Sequence, residues 1–191
     1  MPKFTVDLFT CKSKAWIDHV VPRLQGRPNM KWLEVGSYEG LSALWTLDRV
    51  LTGPGSLIYC VDLFDAVKAW VKFWPGGNMD YVKFFDANTA DRSNVIRLKG
   101  TSHTVLPILE DQTFHGAYLD GSHESDVVTK DLELLWPLLG DGAILVCDDY
   151  NWPDKPETGV AINTFLARPG INHKVLFTDF QIIVEKLGHE V

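Results

Sequence analysis

The chain alternates short apolar runs with amphipathic stretches, and their order predicts strands and helices in turn. Ser13 to Leu24 carries Trp16, Ile17, Val20, Val21 and Leu24 on one helical face, with Ser13 as the cap that starts it. Trp32 to Val35 is an apolar run of strand length, and Leu41 to Leu51 is helical until Thr52-Gly53-Pro54-Gly55 breaks it. Ser56 to Val61 suits a strand buried on both faces. Further strands are predicted at Val95–Leu98, Gly116–Leu119 and Ala143–Cys147, and helices at Thr104–Glu110, Asp126–Leu139 and Gly159–Leu166. Gly140-Asp141-Gly142 is expected to close the second of those helices. Two last strands, Lys174–Phe177 and Gln181–Glu185, are close enough to pair antiparallel. The expected architecture is α/β: a mostly parallel sheet of seven strands with helices on both faces and a C-terminal hairpin, in one domain over residues 1–191. Leu63 to Asn88 stands apart, being aromatic-rich and broken at Pro75-Gly76-Gly77-Asn78. It is too long for a simple crossover and suits a lid or substrate wall as well as it suits core.

The candidate chemistry gathers where the strands end. Gly36 admits backbone angles closed to other residues and a close ligand approach, while Gly40 lets the next helix pack tightly on the sheet. The N–H groups at that helix start favour a carboxylate or another anion. Glu34, acidic between Leu33 and Val35, would suit a cationic amino group. The Gly-x-x-x-Gly spacing lacks the Gly-x-Gly-x-x-Gly of pyrophosphate binders, so a cofactor with an amino-acid end fits better; taken alone, it is an ordinary strand–turn–helix joint.

Four predicted strands end in acid: Glu34, Asp62, Asp120, and Asp148 with Asp149. In open α/β sheets this is the edge where ligands bind. Asp62 is placed to accept hydrogen bonds from two ribose hydroxyls, or else it caps a turn. Asp120, Asp148 and Asp149, brought together, would repel one another unless a cation sat between them. Their oxygens suit Mg²⁺, Ca²⁺ or Mn²⁺ better than zinc. The alternative has Asp149 capping the following loop and Asp148 alone facing the pocket.

Composition narrows the class of ligand. With 46% hydrophobic and 23% charged residues, the 191-residue chain can bury a sizeable core. A net charge of −7 without a Lys/Arg cluster disfavours nucleic acid and points to a small substrate. Cys11, Cys60 and Cys147 lack disulfide or zinc spacing and read as thiols in a reducing compartment. Without a signal-like leader or a membrane-length apolar run, a cytoplasmic location with no membrane partner is expected.

Together these segments resemble the class I S-adenosylmethionine-dependent methyltransferases, over nearly the whole chain. The nearer likeness is to small metal-dependent O-methyltransferases of the catechol O-methyltransferase and bacterial sugar O-methyltransferase types. The resemblance implies a Rossmann-like sheet and two cofactors, S-adenosylmethionine and Mg²⁺ or another hard divalent cation. It implies that Glu34, Gly36, Ser37, Tyr38 and Gly40 surround the methionine moiety and that Ser42 binds its carboxylate. Asp62 would hold the ribose, with Leu63 and Phe64 against the adenine, and Thr101, Ser102 and His103 would lie at the adenine edge. Asp120, Asp148 and Asp149 would hold the metal, Asp120 also bordering the cofactor. His123 stands where the catechol enzyme has its general-base lysine, and Asp149 where that enzyme has asparagine.

The implied reaction is methyl transfer to a hydroxyl of a small-molecule acceptor, with His123 as base and Tyr150, Asn151 and Trp152 shaping the acceptor pocket. His103, His115 and His173 have weaker claims to the role of base. Two other classes stay open, a metal-independent N- or carboxyl-methyltransferase and a non-catalytic cofactor-binding subunit. Cover for the pocket is left to the Phe64–Phe85 stretch or to a second copy in a homo-oligomer.

Overall fold

A computed structural model describes residues 1–65, 80–109 and 113–188. Seven strands form one sheet: β1 Lys31–Val35, β2 Leu57–Asp62, β3 Val95–Lys99, β4 Phe114–Leu119, β5 Leu139–Cys147, β6 His173–Thr178 and β7 Ile182–Lys186. Their spatial order is β3-β2-β1-β4-β5-β7-β6, with β7 antiparallel to β5 and β6 and every other pairing parallel. The order reverses beside β1, so the chain leaves toward β2 on one side and returns to β4 on the other. That switch point is where an open α/β sheet forms its crevice.

Alternation along the strands builds two cores. Leu33, Val35, Val61, Ala117, Leu119 and Leu145 face helices α6 Ser125–Leu135 and α7 Pro156–Leu166. Trp32, Ile58, Cys60, Tyr118, Ile144 and Val146 face α1 Ser13–His19, α3 Leu41–Arg49 and α4 Tyr81–Thr89. Two short helices, α2 Val21–Leu24 and α5 Ser102–Val105, complete the described set. No described helix is long and apolar enough to cross a membrane. All three cysteines are free, Cys60 and Cys147 buried in strands and Cys11 exposed.

Element ends differ from the sequence expectation for identifiable reasons. The opening helix is not continuous to Leu24: it ends at His19 and resumes at Val21, with Pro22 in the new first turn. Trp16, Val20 and Leu24 are buried as expected, but Ile17 is 53% exposed. Ser13 does not cap this helix; it is the first helical residue, and its hydroxyl donates back to Thr10 O in the 3₁₀ turn Thr10–Lys12 that precedes it. Gly140-Asp141-Gly142 belongs to the start of β5, because the helix before it stops at Leu135 and tightens into a 3₁₀ turn, Trp136–Leu138. The stretch considered as a lid lies partly outside the described residues. Of its described aromatics, Phe64, Tyr81 and Phe85 are core.

Candidate active site

The turn after β1 is held from below. Gly36 (φ 88°) and Gly40 (φ 84°) are both left-handed, and a Cβ on Gly36 would fall on the Asp120 carbonyl, so only glycine fits there. Asp62, at the end of β2, ties the turn down. Its Oδ2 accepts from the N–H groups of Ser37 (3.0 Å) and Tyr38 (3.1 Å), and its Oδ1 from Phe64 N–H and the Tyr81 hydroxyl, both at 2.9 Å. Tyr38, itself at φ 47°, stacks on Tyr81 at 5.4 Å. Glu39 is buried under the N-terminal segment and accepts from Thr5 N–H (2.7 Å) and the Thr5 hydroxyl (2.6 Å).

Beneath this turn Glu34 is fully buried, and neither of its carboxylate oxygens has a hydrogen-bond partner. Burial pushes its pKa up to about 8; the hydroxyls of Ser37 and Ser42 pull it down without closing a bond, and Asp62 adds to the rise. The Ser37 hydroxyl is likewise buried and unpartnered. Two donors and acceptors of this kind inside a sheet are costly unless another group satisfies them.

The next strand ends bring the acids together. Asp120 follows β4 and donates its N–H to Val35 O at 2.8 Å, while Asp148 follows β5 and donates to Leu119 O at 2.9 Å. Donor atoms of Asp120, His123 and Asp149 lie within 4.8 Å of one another, the spacing of a single ion's ligands. His123 Nε2 meets Asp149 Oδ2 at 2.6 Å, and its ring stands edge-on to Trp152 at 5.0 Å. A small hollow bounded by Leu119, Ser122, Cys147, Thr158 and Ile162 adjoins these groups.

Asp148, expected among the metal ligands, lies outside that trio. Its Oδ1 accepts from Gln181 Nε2 (3.2 Å) and Asp149 N–H (3.0 Å), and its Oδ2 from the Tyr118 hydroxyl (2.6 Å) and the Lys12 ammonium. Neighbouring acids diverge because Asp149 has left-handed backbone, φ 54°. The Tyr118 hydroxyl also lies 2.9 Å from Asp120 Oδ2, but its single proton favours the nearer Asp148 oxygen. Burial drives the Asp120 pKa well up, and Asp148 drives it further. For Lys12, burial acts to lower the pKa, but Asp120 and Asp148 outweigh it and the net shift is upward.

The loop after β3 is partly spent on its own structure. Thr101 caps α5, accepting from Thr104 N–H at 3.2 Å, and Ser102 donates to Asp131 of α6 at 2.5 Å. His103 Nε2 lies 3.2 Å from the same Asp131 oxygen. Phe64 packs on Phe85 at 4.7 Å with the Arg97 guanidinium over its ring at 4.3 Å, and Leu63 is half-buried beside that cluster. Lys12, Tyr118, Asp131 and Gln181 thus join the site without a sequence signal. Each is an ordinary residue of a helix, strand or turn, and its partner is 2 to 136 positions away.

The sequence profile of a family described as a methyltransferase domain matches residues 33–150, which include the glycine turn, Asp62 and all the clustered acids. No curated protein matches the chain by sequence at a significant level. Among solved structures, the O-methyltransferase TomG from Streptomyces achromogenes, in complex with SAM, superposes with a TM-score of 0.66 at 17% identity, covering 92% of this chain and 80% of its own. The O-methyltransferase from Bacillus cereus, in complex with SAH, gives 0.60 at 15% identity, covering 82% and 74%. An rRNA methylase from Streptococcus thermophilus gives 0.63 at 9% identity, covering 97% and 100%. At these identities the structures establish a shared fold, and the profile establishes the kinship: the chain belongs to the methyltransferase-domain family and has the fold of class I S-adenosylmethionine-dependent methyltransferases.

Proposed function

We propose that the protein transfers a methyl group from S-adenosylmethionine to a hydroxyl of a small-molecule acceptor, assisted by a divalent cation. The observation that carries this reading is one juxtaposition. A buried, unpartnered Glu34 carboxylate lies under the glycine turn, and the Asp120–His123–Asp149 trio stands at the adjoining strand end. Gly36, pressed against the Asp120 carbonyl, joins the two halves.

S-adenosylmethionine, when bound, supplies an electrophilic methyl group on a sulfonium, and a divalent cation supplies charge that lowers the pKa of the acceptor hydroxyl. Glu34 fits the methionine ammonium, because a cation there would offset the cost of its buried charge. The Ser37 hydroxyl and the N–H groups opening α3 would serve the carboxylate end, with Ser42 in that first turn. Asp62 accepts from four donors, one of them the Tyr81 hydroxyl, and a ribose hydroxyl would bind it by taking that hydroxyl's place. Asp120 and Asp149 would be the oxygen donors for the cation, a hard-oxygen pair that suits Mg²⁺ or Mn²⁺ and leaves His123 beside it as base. His123 would take the acceptor hydroxyl's proton; the Asp149 carboxylate holds the ring in place and would stabilise its protonated form. Trp152, edge-on to His123, forms part of the acceptor wall. The net charge of −7 supports a small acceptor over RNA.

The test couples binding to turnover. S-adenosylhomocysteine should bind by calorimetry, and methylation of a panel of phenolic and sugar hydroxyls should stop with EDTA and return with Mg²⁺ or Mn²⁺. His123→Ala should lower kcat by roughly 10²–10⁴-fold while S-adenosylhomocysteine affinity holds. Turnover untouched by EDTA would refute the metal's part, and absence of S-adenosylhomocysteine binding would refute the whole reading.

A further inference from the structure

We propose that Lys12 is a built-in cation of the acceptor site, one that claims Asp148 and withholds it from a divalent ion held by Asp120 and Asp149. The inference rests on the metal-assisted reading above and deepens it. Three carboxylates converge at the ends of β4 and β5, but they are not equivalent. Asp148 has a side chain only 1% exposed, and the Lys12 side chain paired with it is 14% exposed. A carboxylate offers about four lone-pair sites. On Asp148 all are used, by Lys12, the Tyr118 hydroxyl, Gln181 and the Asp149 N–H.

Lys12 is delivered to this position by local structure. Asp7 accepts from the N–H groups of Phe9 (3.1 Å) and Thr10 (2.8 Å) and so opens the 3₁₀ turn that ends at Lys12. The ammonium then lies 5.6 Å from the Phe180 ring centroid, between that ring and the acids. Charge completes the argument. One ammonium offsets one carboxylate and leaves two, which a divalent ion neutralises. Without Lys12 the third acid is stranded in a sealed place, and the ion is the nearest charge able to satisfy it. Lys12 is therefore a positioning residue that sets how tightly the site holds metal and which acids hold it.

The experiment reads metal binding directly, by the electron paramagnetic resonance signal of free Mn²⁺ titrated into the full chain. Lys12→Met should bind Mn²⁺ on the order of tenfold more tightly than wild type, or better, because a repelling charge is gone and a ligand is freed. Lys12→Arg should match wild type. The double variant Lys12→Met/Asp148→Asn replaces the ion pair by neutral groups of similar shape, and should return to within a few-fold of wild type. That variant also serves if Lys12→Met alone does not fold. A double variant more than about tenfold weaker than wild type would make Asp148 a ligand in the native site and overturn the proposal. Wild type that binds Mn²⁺ with Lys12→Met no tighter would overturn it while leaving the metal-assisted reading intact. Binding by Lys12→Met with none by wild type would support the proposal and refute metal assistance in the native enzyme. No binding by any variant would overturn both.

Discussion

Glu34 brings a carboxylate into the middle of a sheet with neither oxygen hydrogen-bonded, and the pH dependence of stability should record it. Its pKa rises from 4.5 to about 8 on folding, chiefly through burial. Below pH 4.5 the group is protonated in both states, but between pH 4.5 and about 8 the unfolded chain ionises while the folded one keeps its proton. Stability should therefore fall as pH rises through that window, by up to about 1.4 kcal/mol per pH unit, and level off above it. In Glu34→Gln that part of the slope should vanish, and the urea midpoint at pH 8 should exceed that of wild type; an unchanged slope would clear Glu34 of the effect. The acid was legible in the sequence because it breaks an apolar strand. Lys12, Tyr118 and Asp131 were not, since nothing in a local pattern marks a lysine that will pair 136 positions away.

Strands proved easier to place than helix ends, and for a physical reason. The central strands are short, mostly apolar runs, whereas helix boundaries depend on caps and prolines that compete locally. Ser13 resembles a cap but bonds backward to Thr10, and the glycines at 140 and 142 resemble a helix stop but enter β5. The N-terminal segment gave no periodic signal, yet it is bound at several points. Lys3 N–H donates to Asn88 Oδ1 at 2.8 Å, Thr5 makes two bonds to Glu39, and Lys12 pairs with Asp148. Thr5→Val removes the hydroxyl bond to a buried carboxylate and should cost about 1–3 kcal/mol. Amide exchange should then quicken across residues 3–12 while β1 and β4 stay protected. Uniform acceleration over the whole sheet would mean the segment is not a separable unit.

At the scale of the molecule, the strand order decided what the acids could become. Acids that end separate strands were readable as a pattern, and a sheet that reverses beside β1 makes them neighbours. What the pattern could not show is division among them, because Asp148 and Asp149 are adjacent in sequence and diverge only through the left-handed backbone of Asp149. A ligand spanning the turn after β1 and the end of β2 would tie these two neighbouring strands together. Saturation with S-adenosylhomocysteine at about 100 times its Kd should add roughly 2.7 kcal/mol, or about 5–10 °C in melting temperature. A melting curve that does not move would argue against a cofactor site there.

Among the described residues, two tryptophans flank the acids. Trp152 stands edge-on to His123, and Trp16 donates through Nε1 to Gln181 (3.0 Å), which in turn donates to Asp148. Trp16 also sits within 5.9 Å of the rings of Trp32, Trp45, Tyr118 and Phe9, near enough to collect their excitation. The protein thus carries its own optical gauge: a change of charge among the acids should shift indole emission from both sides at once, with no dye or label attached.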